Sequence, residues 1–211
     1  LVRSNESLRN NTLVLICSDN GPEKGAGSAG PYRGFKTHLF VGGIRSPQIA
    51  WGPGLIRQGR TGRVNASSVF SAIDLAPSLL KIAGVEFPAN IDFDGEALPR
   101  VLLGTSRSSR AAPIFFRRPP DRDSFYGVAD LPDLAVRDGR WKLLCEYDGS
   151  NPLLYDLALD ASEAKNLARD EPEVVTRLSQ SLIAWHKSMP PDNGATFQPQ
   201  RRKPPVKKAS P

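Results

Sequence analysis

Asp19, Asn20 and Lys36 are the side chains whose types and spacing best suit chemistry in this sequence. Asp19 and Asn20 offer oxygen, the ligand atom that hard cations such as calcium and magnesium take. They stand together in Ser18-Asp19-Asn20-Gly21, where Gly21 lets the backbone turn sharply. Lys36 closes Tyr32-Arg33-Gly34-Phe35-Lys36. It follows a loop with Gly25, Gly27, Gly30 and Gly34 that can fold it back over a metal. A divalent cation beside a lysine can clamp a tetrahedral oxyanion, sulfate or phosphate. The cation polarises the oxygens, and the ammonium offsets charge that develops as the bond breaks. Taken alone, Asp-Asn-Gly is a common turn sequence and fits a plain turn better than a metal site.

Such a site needs a strand ahead of it. Thr12 to Cys17 is a short apolar run closed by turn formers, which predicts a buried strand. Ligands of open α/β sheets bind just past the carboxyl ends of strands. Thr37 to Val41 predicts a short strand broken by Gly42-Gly43, and Pro47 to Trp51 a second buried strand closed by Gly52-Pro53-Gly54. The second half of Ser68 to Ala83 reads as a helix. Asp74 is its N-cap, Pro77 lies in its first turn, and Gly84 is the glycine just past its end. Gly104 to Ala112, rich in serine and arginine, reads as a linker. Asp138-Gly139, between two apolar runs, signals a hairpin, and Leu153 to Leu157 a further strand. Pro172 to Lys187 is an amphipathic helix opened by a capping-box-like Asp170 and Glu173 and stopped by Pro190-Pro191.

The 211 residues allow one large domain, or a domain plus a smaller one, and 39% hydrophobic content suffices for a core. No stretch is long and apolar enough to span a membrane. Cys17 and Cys145 read as two buried thiols, too few for a disulfide framework or a zinc cluster. Two histidines exclude a histidine-rich metal site. The net charge of +6 sits mostly beyond Pro191, where five basic residues meet one acidic residue, Asp192. That segment is proline-rich and lacks aromatic interleaving, so it reads as a solvated tail and not a nucleic-acid surface. The opening residues, Leu1 to Glu6, show no leader pattern, which says nothing about export. Asn5, Asn10 and Asn65 begin glycosylation patterns that matter only in a eukaryotic secretory setting.

Several ordered motifs together resemble the sulfatase family, within the alkaline-phosphatase-like superfamily. Ser18 to Pro22 matches its Ser-Asp-Asn-Gly-Pro strand end, and Gly34-Phe35-Lys36 its glycine-flanked lysine. Gly42 to Pro47 matches Gly-Gly-Ile-Arg-x-Pro, and Asp74 to Leu80 its Asp-x-x-Pro-Thr-Leu-Leu helix. Val136 to Leu143, then Leu154-Tyr155-Asp156-Leu157 with Asp160, Glu163, Asn166 and Leu167, match its C-terminal subdomain.

The resemblance implies an α/β fold. Residues 1–108 would form part of an alkaline-phosphatase-like sandwich, with part of the main mixed sheet and flanking helices. Residues 109–190 would form a small C-terminal α+β subdomain with an antiparallel sheet and a helix, and 191–211 a disordered tail. It implies Asp19 and Asn20 as ligands of a divalent cation, usually Ca2+, and Lys36 as the group touching sulfate. Arg45 and Asp74 read as structural, and His38, which matches no family catalytic histidine, as exposed or satisfied. The implied partner is a sulfated small molecule or carbohydrate, and the implied location periplasmic, secreted or lysosomal.

Two departures stand out. Val41 occupies the place of an acidic residue that would anchor the loop before Gly42-Gly43. The family nucleophile, a formylglycine made from Cys/Ser-x-Pro-x-Arg, has no counterpart in these residues. The sequence therefore reads as the C-terminal portion of a sulfatase, inactive alone. A phosphate or phosphonate hydrolase of the same superfamily and a non-catalytic relative are the alternatives. Substrate specificity would draw on the loop between Phe115 and Asp133.

Overall fold

The computed structural model describes residues 1–56, 59, 62–118 and 131–190. The tail and most of the proposed specificity loop lie outside them. Helix α1 spans Glu6–Asn10, strand β1 Val14–Cys17, the one-turn helix α2 Val41–Ile44 and strand β2 Gln48–Trp51. Strands β1 and β2 pair antiparallel, with Ile16 opposite Ile49. Both strands were expected to be buried, yet Ile16 and Ile49 are each 60% exposed. No third strand joins this ribbon among the described residues, and the face that carries Ile16 and Ile49 is open. Thr37 to Val41 is not a strand. The backbone bends there, with Thr37 at φ +84°, and enters α2 at Val41.

Next come a 3-10 turn at Ala72–Asp74, helix α3 at Leu75–Ile82 and helix α4 at Pro99–Leu102. Gly84 ends α3 as expected. Its φ is +69°, its N–H donates to Lys81 O, and the Val85 N–H donates to Leu80 O. That is the reverse turn glycine makes at low cost. Asp74 stands at the N-cap position of α3, but its side chain makes no capping hydrogen bond to that helix. Ser71 caps the turn, and Asp74 Oδ2 accepts from the Ser71 N–H at 2.7 Å. Its Oδ1 accepts from the Glu96 N–H at 2.8 Å and meets Arg110 Nη1 at 3.2 Å, with both side chains almost wholly buried. Gly104 to Ala112 is accordingly no free linker. Arg110 is anchored on Asp74, and the Glu96 carboxylate accepts from the Ala111 and Ala112 N–H groups.

Strands β3 (Ile114–Arg117), β4 (Leu134–Asp138), β5 (Trp141–Cys145) and β6 (Leu153–Asp156) form an antiparallel sheet in chain order. Gly139, at φ +57°, makes the β4–β5 turn that the Asp-Gly pair signals. Helix α5 (Pro172–Ser188) lies on one face, its Leu178 and Leu182 buried against Leu134, Val136, Leu143 and Cys145. It opens on Glu171 and Pro172 without a side-chain cap, not on the expected box. Residues between the glycine loop and α2 cover the other face. Leu39 and Phe40 pack there on Ala135, Leu144 and Tyr155. A sheet covered on both faces explains why β5 is buried at successive positions from Lys142 to Cys145 and not at alternate ones.

Only one of the two cysteines is buried. Cys145 lies at the end of the inner strand β5, where burial pushes its thiol up to about 12, while Cys17 is exposed on the ribbon. Thiolate, not thiol, is the reactive form. A maleimide or disulfide reagent is expected to label one thiol in the folded chain and two after denaturation. Equal rapid labelling of both would contradict the buried position of Cys145.

Candidate active site

Strand β1 delivers Ser18 to Gly21 to a sharp turn. Asp19 Oδ1 accepts from the Asn20 N–H at 3.0 Å, and Ser18 Oγ donates to Asn20 O at 2.8 Å. These bonds leave Asp19 Oδ2 and the Asn20 side-chain oxygen free to point at a ligand. The turn sits hard against α2. The Gly21 N–H donates to Gly43 O at 2.8 Å, and a methyl on Gly21 would stand 1.8 Å from Gly42 O. Only glycine permits that approach. Lys36 joins the same cluster through its backbone, its N–H donating to Pro22 O at 2.9 Å. Its ammonium meets Glu23 Oε2 at 3.6 Å, with both side chains nearly half exposed. Such a pair is weak and gives way readily to a better anion.

The structure thus brings the Asp19-Asn20 turn, the Lys36 segment and the Gly42-Gly43 turn together by backbone hydrogen bonds. A hard cation takes six or more oxygens. Asp19 and Asn20 supply two. Among the described residues no group of three His, Cys, Asp or Glu side chains converges on one point. The donor set fits one side of a calcium or magnesium site.

The Val41 backbone is anchored from a distance. Glu163 Oε2 accepts from the Val41 N–H at 2.6 Å, and Glu163 Oε1 accepts from Lys142 Nζ at 2.7 Å. Both side chains are fully buried. Burial lowers the Lys142 ammonium to about 8, and the Glu163 charge opposes that shift. The bond to Val41 fixes the start of α2, and α2 in turn holds Gly21. Arg33 strengthens the junction, donating to Tyr155 Oη at 2.9 Å and to Glu163 O at 3.3 Å while lying over the Phe40 ring. Asp160 and Asn166 shape the loop that carries Glu163. Asp160 Oδ2 accepts from the Ala164 and Lys165 N–H groups, and Asn166 Oδ1 from those of Leu154 and Ala168.

Sequence reasoning missed this brace. One signal was available: Lys142 interrupts an apolar run at a position with no solvent-facing side, and a buried ammonium demands a partner. His38 also departs from expectation. It is half-buried, with the Phe35 ring 4.0 Å away and the Phe40 ring edge-on at 6.4 Å, and its Nε2 has no hydrogen-bond partner. Burial, then the charges of Arg118, Arg33 and Lys24, hold its pKa below the ordinary value.

The fold is that of solved sulfatases with the alkaline-phosphatase-like architecture. Residues 4–85 match the family model described as Sulfatase, and the chain belongs to that family. It is 34% identical to human Arylsulfatase A over 219 aligned positions, covering 90% of this chain and 40% of that protein. It is 32% identical to mouse Arylsulfatase K, covering 81% of this chain and 29% of that protein. A solved structure from work on glycosaminoglycan metabolism by Bacteroides thetaiotaomicron superposes with a TM-score of 0.66 at 26% identity, covering 86% of this chain and 40% of that one. The chain therefore spans less than half the length of the relatives it matches.

Proposed function

We propose that this chain forms one wall of the active site of a sulfuric ester hydrolase acting on a sulfated carbohydrate. The observation that carries the reading is the set of backbone hydrogen bonds that ties the Asp19-Asn20 turn to the segment bearing Lys36. Asp19 and Asn20 would hold one side of a divalent cation, calcium by the family's habit. The cation, when bound, supplies charge that polarises the sulfate oxygens. Lys36 would exchange Glu23 for a sulfate oxygen and neutralise the charge that builds up on it. The nucleophile, a formylglycine in this reading, would come from a segment other than these 211 residues. The glycosaminoglycan setting of the similar structure supports the substrate class. The compartment would be periplasmic, secreted or lysosomal. Among the described residues no helix is long and apolar enough to cross a membrane.

The test has two parts. The 211-residue chain with calcium and 4-nitrocatechol sulfate is expected to give no turnover, whereas a polypeptide that also carries the nucleophile segment hydrolyses it. Terbium luminescence with the longer polypeptide is expected to report binding that Asp19→Ala removes. Multiple turnover by the short chain, or terbium binding indifferent to Asp19, would overturn the assignment.

A further inference from the structure

A second positively charged site lies away from Asp19, Asn20 and Lys36. A cavity of about 540 Å³ opens between the glycine-rich segment, the 66–69 and 109–114 segments and the β4–β5 turn. Its lining includes Arg45, Arg110, Arg137 and Arg140, and no Asp or Glu. The volume falls in the range of small-ligand sites.

Two of these arginines are already neutralised. Arg110 pairs with Asp74 and Glu96, and Arg140 with Asp156 behind the wall. The other two are not. Among the described residues, neither Arg45 nor Arg137 has a carboxylate within ion-pair distance. Arg45 lies over the Tyr32 ring at 4.5 Å, and Arg137 donates only to Gly139 O at 3.4 Å. Arg137 also stands directly opposite Lys142 across the β4–β5 ladder, where like charges repel. The carboxylate beside Lys142, Glu163, already accepts from Lys142 and Val41 and makes no ion pair with Arg137. Burial and the Arg45 charge both weaken the hold of Arg137 on its proton. Two uncompensated guanidinium groups at one cavity form a fork-shaped donor set suited to an oxyanion.

We propose that this cavity is an anion-binding site, distinct from the hydrolytic one, in which Arg45 and Arg137 grip a sulfate or carboxylate group carried on a sugar. The Ser67 and Ser109 hydroxyls and the apolar wall at Val69 and Leu157 would receive the rest of the ring. In a sulfated chain of sugars, such a site would hold a unit other than the one being cleaved. That last statement rests on the sulfatase reading; the anion site itself does not.

The experiment is calorimetric titration of the full 211-residue chain with inorganic sulfate and with a monosulfated chondroitin disaccharide, at fixed ionic strength. Saturable binding of the disaccharide is expected, with sulfate alone weaker. Arg137→Ala and Arg45→Ala should each weaken it about tenfold, the loss of one charge-assisted contact. Lys36→Ala and Asp19→Ala should leave it unchanged, which separates this site from the hydrolytic one. Arg45→Gln and Arg137→Gln, checked by circular dichroism melts, replace any alanine variant that fails to fold. The proposal is overturned by sulfate binding as tightly as the disaccharide, by binding that survives both arginine changes, or by binding lost in Lys36→Ala. It is also overturned if the arginine variants unfold more easily while the parent binds neither probe, since the arginines would then serve a protein carboxylate.

Discussion

Glu163→Ala is expected to destabilise the chain by about 3–5 kcal/mol, the usual effect of breaking one half of a buried ion pair. In a protein of this size that corresponds to a fall in Tm of roughly 10 °C. The reason lies in the double duty of the side chain. One oxygen neutralises Lys142 and the other accepts from the Val41 N–H, with neither partner reachable by water. Glu163→Gln keeps an acceptor for Val41 and removes the charge, so it should fall between the parent and Glu163→Ala. Lys142→Met leaves a buried carboxylate alone and should match the alanine variant.

A pH titration reads the same pair. The folded chain releases the Lys142 proton near pH 8, against 10.5 for an ordinary lysine. Between those values the unfolded chain holds more protons, so this group makes stability rise with pH across the window. Locally the same event dissolves the ion pair. The Val41 amide resonance is expected to shift with a midpoint near pH 8 and to lose that transition in Lys142→Met. A Val41 amide flat from pH 6 to 10, with melts unchanged in Glu163→Ala, would refute the brace.

The second large effect concerns turnover. In a polypeptide that also carries the nucleophile segment, Lys36→Ala is expected to lower kcat by about 10²–10³, the usual cost of losing one group aimed at developing charge. KM should change far less, because the ammonium matters most when the sulfate oxygens gain charge. Lys36→Arg should recover part of the loss, since its planar fork keeps the charge but not the shape. Glu23→Ala should cost nothing or raise the rate slightly, because Glu23 competes for the ammonium. Turnover by Lys36→Ala within twofold of the parent would remove Lys36 from the chemistry.

What could be read from the sequence was local. Gly84 as a helix stop, Asp138-Gly139 as a hairpin and the stripe of α5 each depend on a few neighbouring residues, and each stands in the fold. The Asp19-Asn20 turn was legible for the same reason. Long-range partnerships were not. Val41 looked like a lost anchor because the carboxylate that holds its N–H lies 122 positions away, on the loop after β6. Arg110 looked like linker because nothing nearby reveals that Asp74 waits for it. The ribbon looked buried because branched aliphatics predict a strand but not the layer that covers it.

The uncovered ribbon also governs colloidal behaviour. Among the described residues the two strands leave two open edges, and Ile16 and Ile49 add an oily pair on the face between them. What keeps two such molecules apart is the net charge of +6, gathered largely at the end of the chain. Added salt shortens the reach of that repulsion and leaves the attraction between ribbons intact. Dilute buffer, and not physiological saline, is therefore the medium in which the isolated chain keeps its distance from itself.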